Sequence, residues 1–238
     1  MFSLNLTNVG RVSLLFAFVG LLVLGSVQDA HADEIAIWNF NDSDLSVDHG
    51  SGTLSTNFSL ANVLFTFGGT SVNARLGDVP GQSMTLQGGT GTSNNGRNIT
   101  LNVGTIGFGN VVITFASQGT ASGFTSNQLQ YSIDGVTFLD FGSPYTPPAA
   151  FGLFTFDLSS IVALNDNPNA AFRIVFNGAT TATGNNRLDN LVVEGRNLVS
   201  SVPEPSSLIL LGLGLGGVLT RRVRRLKGRR KGWLQPLD

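Results

Sequence analysis

Eleven short segments, apolar or alternating, fill the chain between Ile35 and Val193, punctuated by Gly, Asn, Ser and Asp. They cover residues 35–40, 63–67, 72–76, 83–86, 99–103, 111–115, 129–133, 136–141, 153–156, 172–176 and 188–193. Period-two alternation, or a β-branched and aromatic run bounded by turn residues, predicts a strand. No helical periodicity longer than about ten residues competes with it. A single helical turn is expected over 158–164, ahead of Pro168. The pair Asp134-Gly135, between Ile133 and Val136, predicts a two-residue type I′ hairpin, because both residues tolerate positive φ. Many short strands with tight turns and no interleaved helices specify an all-β fold. The expected form is a single β-sandwich of jelly-roll topology, with an immunoglobulin-like sandwich as the alternative.

Composition narrows what such a sandwich can do. Residues 33–199 form the expected ectodomain, about 170 residues and long enough to bury a sizeable core. Twelve carboxylates against five arginines, with no lysine, leave residues 33–200 at −7. The near-neutral net charge of −1 for the whole chain therefore hides an acidic body and a basic tail. A body without a cationic patch excludes nucleic acid as a partner. The absence of cysteine removes disulfides, thiolate metal sites and a cysteine nucleophile.

Both ends carry targeting features. Arg11 precedes an apolar region over 12–27, and Ala30-His31-Ala32 places small residues at both cleavage-determining positions. Residues 1–32 are read as a signal peptide cut after Ala32. At the other end, Pro203-Glu204-Pro205 forms an extended segment that no helix can absorb. An apolar run over 207–219 follows, and then a basic tail over 221–231 that opens with Arg221, Arg222, Arg224 and Arg225. Such a cationic stop holds its side of a membrane in the cytoplasm. Thirteen residues of helix span roughly 20 Å, short of the roughly 30 Å hydrocarbon layer, so a transmembrane helix here needs snorkelling arginines, residues 202–206 or local thinning.

The order Pro-Glu-Pro, apolar run, basic cluster over residues 200–238 resembles the PEP-CTERM sorting signal of exosortase-dependent bacterial surface proteins. The tail from Gly232 to Asp238 extends beyond the usual end of that signal. Trp38-Asn39-Phe40-Asn41, the run from Tyr131 to Phe138, Phe172 to Phe176, and Asn186 to Leu191 resemble segments of PEP-CTERM ectodomains. They are also similar to galactose-binding-like and other jelly-roll carbohydrate-associated domains. The resemblance implies export, a precursor anchored in the inner membrane, and processing at Pro203-Glu204-Pro205 by an exosortase-type membrane protease. It further implies delivery to the outer surface or extracellular matrix of a Gram-negative bacterium, with exopolysaccharide or cell-envelope glycans as partners.

The inventory of reactive side chains points away from catalysis, and no catalytic residue is assigned. Beyond the leader, His49 is the only histidine, in the polar loop Asp48-His49-Gly50-Ser51-Gly52, which carries no nucleophile-elbow pattern. Glu34 and Glu194 are the body's only glutamates, a thin supply for glycoside hydrolysis. A surface polysaccharide hydrolase or lyase stands as the alternative to a non-enzymatic adhesion, carbohydrate-binding or structural protein. Oxygen donors Asp42, Asp44 and Asp48, with Asp189 near the last strand, are candidates for a structural calcium, or else turn caps. Tyr145, in a proline-rich loop, is the candidate sugar platform, or else an aromatic packed on the prolines. No cofactor is expected apart from that calcium.

Overall fold

The computed structural model describes residues 32–198. The leader with Ala30, the motif Pro203-Glu204-Pro205, the apolar run and the basic cluster lie outside the described residues, whereas Ala32 opens the first strand. The described residues form twelve strands: β1 (Ala32–Trp38), β2 (His49–Gly50), β3 (Thr53–Thr56), β4 (Val63–Gly68), β5 (Gln82–Gln87) and β6 (Arg97–Asn102). They continue as β7 (Phe108–Gly119), β8 (Ser126–Ser132), β9 (Leu139–Asp140), β10 (Gly152–Asp157), β11 (Ala171–Asn177) and β12 (Asn185–Asn197). Among the described residues no helix is long and apolar enough to cross a membrane.

The strands form two sheets. The larger has seven strands, in the order β10-β7-β12-β1-β2, with β4 and β5 joining through β12. The smaller has five, in the order β3-β6-β11-β8-β9. The chain passes repeatedly from one sheet to the other: β5 to β6, β6 to β7, β7 to β8, and β9 through β12 one strand at a time. This is a jelly-roll sandwich, and every strand pairing with a defined register is antiparallel. Alternation decides which side chains fill the space between the sheets. Ile99 and Leu101 on β6, Phe172, Ile174 and Phe176 on β11, Met84 and Leu86 on β5, and Ile113 and Phe115 on β7 all lie in the core. Three rings close one end, Phe58, Phe124 and Phe176, with centroids 5.6–5.8 Å apart in edge-to-face pairs.

Several local expectations change. Residues 72–76 are not a strand; they belong to a strap over 69–81 that joins β4 to β5. Residues 136–141 pair only at Leu139–Asp140. The Asp134-Gly135 turn is not a two-residue hairpin, since the last register pair is Tyr131 with Leu139. Only Gly135 has positive φ there (76°). The cause is the Asp134 carboxylate, which accepts the Val136 and Thr137 amides at 2.8 and 2.7 Å and holds a longer loop. The helical turn is a single 3-10 turn, Val162–Leu164. Strands β2 and β3 carry too little apolar signal to have been anticipated.

Gly50 shows how tightly one edge is built. It pairs with Ala36 at φ 80°, and a Cβ there would collide with the Ile35 carbonyl oxygen. Gly50→Ala is expected to cost about 1–3 kcal/mol, limited because the two-residue strand β2 can peel away alone. A thermal melt checks this, and an unchanged midpoint would contradict it.

Candidate functional site

The outward face of the five-stranded sheet carries a row of polar side chains built on regular strands. Register places Ser55, Thr100, Arg173, Gln130 and Asp140 in one row across β3, β6, β11, β8 and β9. A second row holds Thr53, Asn102, Ala171 and Ser132. The first row points outward because its strand neighbours, Leu54, Leu101, Phe172 and Leu129, fill the core, whereas in the second row Ala171 and Ser132 are buried and leave Thr53 and Asn102 exposed. Short hydrogen bonds orient the row: Arg173 Nε donates to Thr100 Oγ1 (3.2 Å), and Gln130 Nε2 donates to Asp140 Oδ1 (2.8 Å). The Arg173 guanidinium lies over the Phe138 ring, 3.6 Å from its centroid. Burial pulls the Arg173 pKa below its ordinary value. At one end of the face, a recess of about 230 Å³ is lined by Asn102, Gly104, Asp134, Gly135, Asn169 and Ala170, among others.

The other sheet carries a second polar assembly, at a bulge in β12. Its pairing with β7 shifts register between Asp189 and Val192, and Asn190 has φ 49°. The strap is pinned to this bulge. Asp189 Oδ2 accepts the Thr70 amide at 2.6 Å, and Asn190 Nδ2 donates to the Thr70 and Val72 carbonyls at 2.7 and 2.8 Å. Asn73 Nδ2 returns a bond to the Asn190 carbonyl at 2.7 Å. Burial pushes the Asp189 carboxyl up to about 7, against the opposing pull of the two amides it accepts and with help from the charge of Asp78.

The aspartates predicted from sequence are distributed as follows. Asp44 accepts the Ser46 amide at 2.6 Å in a local turn. Asp48 accepts the Asn39 amide at 2.7 Å. Its pKa is raised chiefly by burial, with the charges of Asp42, Asp78 and Asp44 adding to it. Asp42, Asp44 and Asp48 thus share one neighbourhood, while Asp189 is engaged by the strap. Among the described residues no three acidic or histidine side chains converge closely enough to hold a metal ion. Tyr145 corrects the platform expectation. Its ring packs 4.5 Å from Phe154, 5.6 Å from Phe156 and 5.8 Å from Phe115, and its hydroxyl is buried without a partner. The loop pairs with Asn127 and so folds the ring toward the sandwich edge. His49 lies exposed on β2, and Glu34 and Glu194 both face Arg75, at 3.8 and 3.4 Å.

Arg173, Phe138 and Gln130 were not singled out by the residue inventory. The signal was present in Phe172-Arg173-Ile174-Val175-Phe176, where three inward apolar residues leave an arginine outward in mid-strand.

Comparison with known proteins adds one assignment. Residues 201–225 match the PEP-CTERM protein-sorting motif. The chain is therefore an all-β sandwich that carries this motif and is secreted and sorted to the surface. No curated protein matches it. Among solved structures, it is similar to the CBM22-1 xylan-binding domain from Paenibacillus barcinonensis: 13% identity, 70% of this chain and 96% of that one, TM-score 0.44. Domain 4 of an extracellular arabinanase from Geobacillus stearothermophilus, solved with arabinotriose, gives 12% identity, 71% and 95% coverage and TM-score 0.43. A cleaved adhesin domain of Lys-gingipain from Porphyromonas gingivalis gives 12% identity, 69% and 99% coverage and TM-score 0.44.

Proposed function

We propose that this is a non-enzymatic surface or matrix protein that binds glycan on the outward face of its five-stranded sheet. One observation carries the reading: register aligns hydroxyl, amide and guanidinium groups in rows across the sheet. Sugars present hydroxyls along a flat ring, and a platform of fixed donors and acceptors suits them. Catalysis is disfavoured by the positions of the usual groups. Glu34 and Glu194 are engaged by Arg75 of the strap, and His49 sits on a two-residue edge strand. Binding of the exported protein to an array of bacterial and plant polysaccharides tests the reading. Retention with no release of reducing sugar is expected, and turnover of any polymer would favour the hydrolase or lyase instead.

We further propose the route. The precursor rests in the inner membrane of a Gram-negative cell, is processed at Pro203-Glu204-Pro205 by an exosortase-type protease, and reaches exopolysaccharide or cell-envelope glycans. Mass spectrometry of the surface form should find no peptide from Leu208 onward. Glu204→Ala should retain the full chain in the inner membrane. Recovery of surface protein still bearing residues 221–231 would overturn the processing step.

A further inference from the structure

Arg173 is the one cation centred on the outward face of the five-stranded sheet, and it has no counter-charge. Among the described residues the only ion pairs are those of Arg75 with Glu34 and Glu194. The residues facing Arg173 across the two neighbouring strands are Thr100 and Gln130, both neutral. The one acid in its row, Asp140, sits one strand further, its Cα roughly 10 Å away by strand spacing, and makes no ion pair with Arg173. That carboxylate is already occupied by the Gln130 amide. Acid is not scarce, since the body carries twelve carboxylates against five arginines. A half-buried cation normally recruits a carboxylate, because desolvation without a partner is costly. Here the sandwich covers one face of the guanidinium with Phe138, uses Nε on Thr100, and supplies no anion.

The remaining edge of the guanidinium is a planar fork of N–H donors, held in orientation by the ring beneath it. That fork matches the two oxygens of a carboxylate. Carboxylates occur on polysaccharides as uronic-acid residues. We infer that the face binds an acidic polysaccharide, seating a uronate carboxylate on the free edge of Arg173 while flanking hydroxyls meet Thr100, Gln130 and Asn102. This rests on the glycan-binding reading and narrows it to a chemical class. It also reconciles an acidic protein with an anionic polymer: contact is confined to one shielded cation instead of a broad basic field.

The test uses the exported protein in affinity electrophoresis and calorimetry. The probes are a polyuronate, the same polyuronate with its carboxyls reduced to alcohols, a sulfated dextran, unmodified dextran and a neutral xylan. Expected is binding to the polyuronate that weakens at least tenfold on carboxyl reduction and falls as salt is raised. Arg173→Gln should match that loss, and Arg173→Lys should recover only part of it, because a point charge cannot reproduce the fork. Phe138→Ala should weaken binding several-fold. Arg187→Gln removes the arginine that lies 4.5 Å over Phe67 on the other sheet, and should leave affinity unchanged. A melt of each variant separates lost binding from lost fold. Equal binding to native and reduced polymer, or to xylan, would overturn the uronate inference and leave glycan binding standing. Preference for the sulfated dextran that survives Arg173→Gln would overturn it as well. Failure to bind any of the polymers would remove both readings.

Discussion

Phe176→Ala is expected to lower the stability of the sandwich by about 3–5 kcal/mol. Phe176 is 0% exposed and lies at the C-terminal end of β11, where it meets Phe58 at 5.7 Å and Phe124 at 5.6 Å, both edge-to-face. Truncation removes transfer free energy and leaves a void that three different parts of the chain must close together. Phe58 comes from the β3–β4 connection, Phe124 from the β7–β8 connection, and Phe176 from the central strand of the smaller sheet. None of these can collapse without moving the others. In a domain of this size 1 kcal/mol shifts the midpoint by about 2–4 °C, so a drop on the order of 10 °C or more is expected. Val175→Ala, one residue away on the outward face, serves as the comparison and should cost far less. A loss below about 1.5 kcal/mol for Phe176→Ala would show that the end of the sandwich is loosely packed.

The second large effect is a dependence of stability on pH that runs opposite to ordinary acid denaturation. The Asp189 carboxyl is 2% exposed and titrates near 7 in the folded protein, well above its ordinary value of 3.8. A raised acid binds its proton more tightly in the native state. Its contribution is therefore full below the ordinary carboxylate range and is lost as pH rises through about 7. From pH 5 to pH 8 the sandwich should lose about 2–3 kcal/mol from this group. Asp48, raised for the same reason, acts in the same direction. Asp134 and Asp157 have lowered pKa values because backbone amides and hydroxyls hydrogen-bond to their carboxylates, and they act with the opposite sign below about pH 4. Urea titrations at pH 5, 6, 7 and 8 measure the slope directly. In Asp189→Asn the slope should flatten over that range. A wild-type protein equally stable at pH 5 and pH 8 would contradict the prediction, and so would a variant that keeps the slope.

How far the residues announce this architecture depends on how strongly each strand alternates. Phe172, Ile174 and Phe176 recur at every second position, with Arg173 between the first two, so β11 and its inward face are legible from spacing. Thr53–Thr56 contributes one buried leucine among three polar residues, and its strand exists because Leu101 and Ile99 on β6 offer a ladder to join. Residues 72–76 show the converse. Val72 and Leu76 have strand-like chemistry, yet the bulge at Asp189 and Asn190 captures the segment by hydrogen bonds from 117 to 120 positions away in sequence. No local pattern encodes a partner so distant. The same limit hid the candidate face. Arg173 is conspicuous in its strand, but its lack of an ion-pair partner is a property of register across four neighbouring strands, and Phe138 reaches it from a loop whose shape Asp134 sets.

The placement of β12 has a consequence for export and for mechanical load. It is the last strand among the described residues, yet it lies inside the larger sheet, paired along one edge with β7 and flanked on the other by β5 and β1. A polypeptide crossing a membrane from its N-terminus cannot close this sandwich until residue 197 has emerged. The sorting motif begins only a few residues later, at 201. Completion of the fold and arrival of the sorting segment are thus nearly one event in time, and an interrupted translocation leaves a domain with an open seam through its middle. Once the protein is in place, tension applied through its C-terminal end enters the sheet along β12. Pulled along its own axis, that strand loads its hydrogen bonds to β7 in parallel, on both sides of the bulge at Asp189 and Asn190.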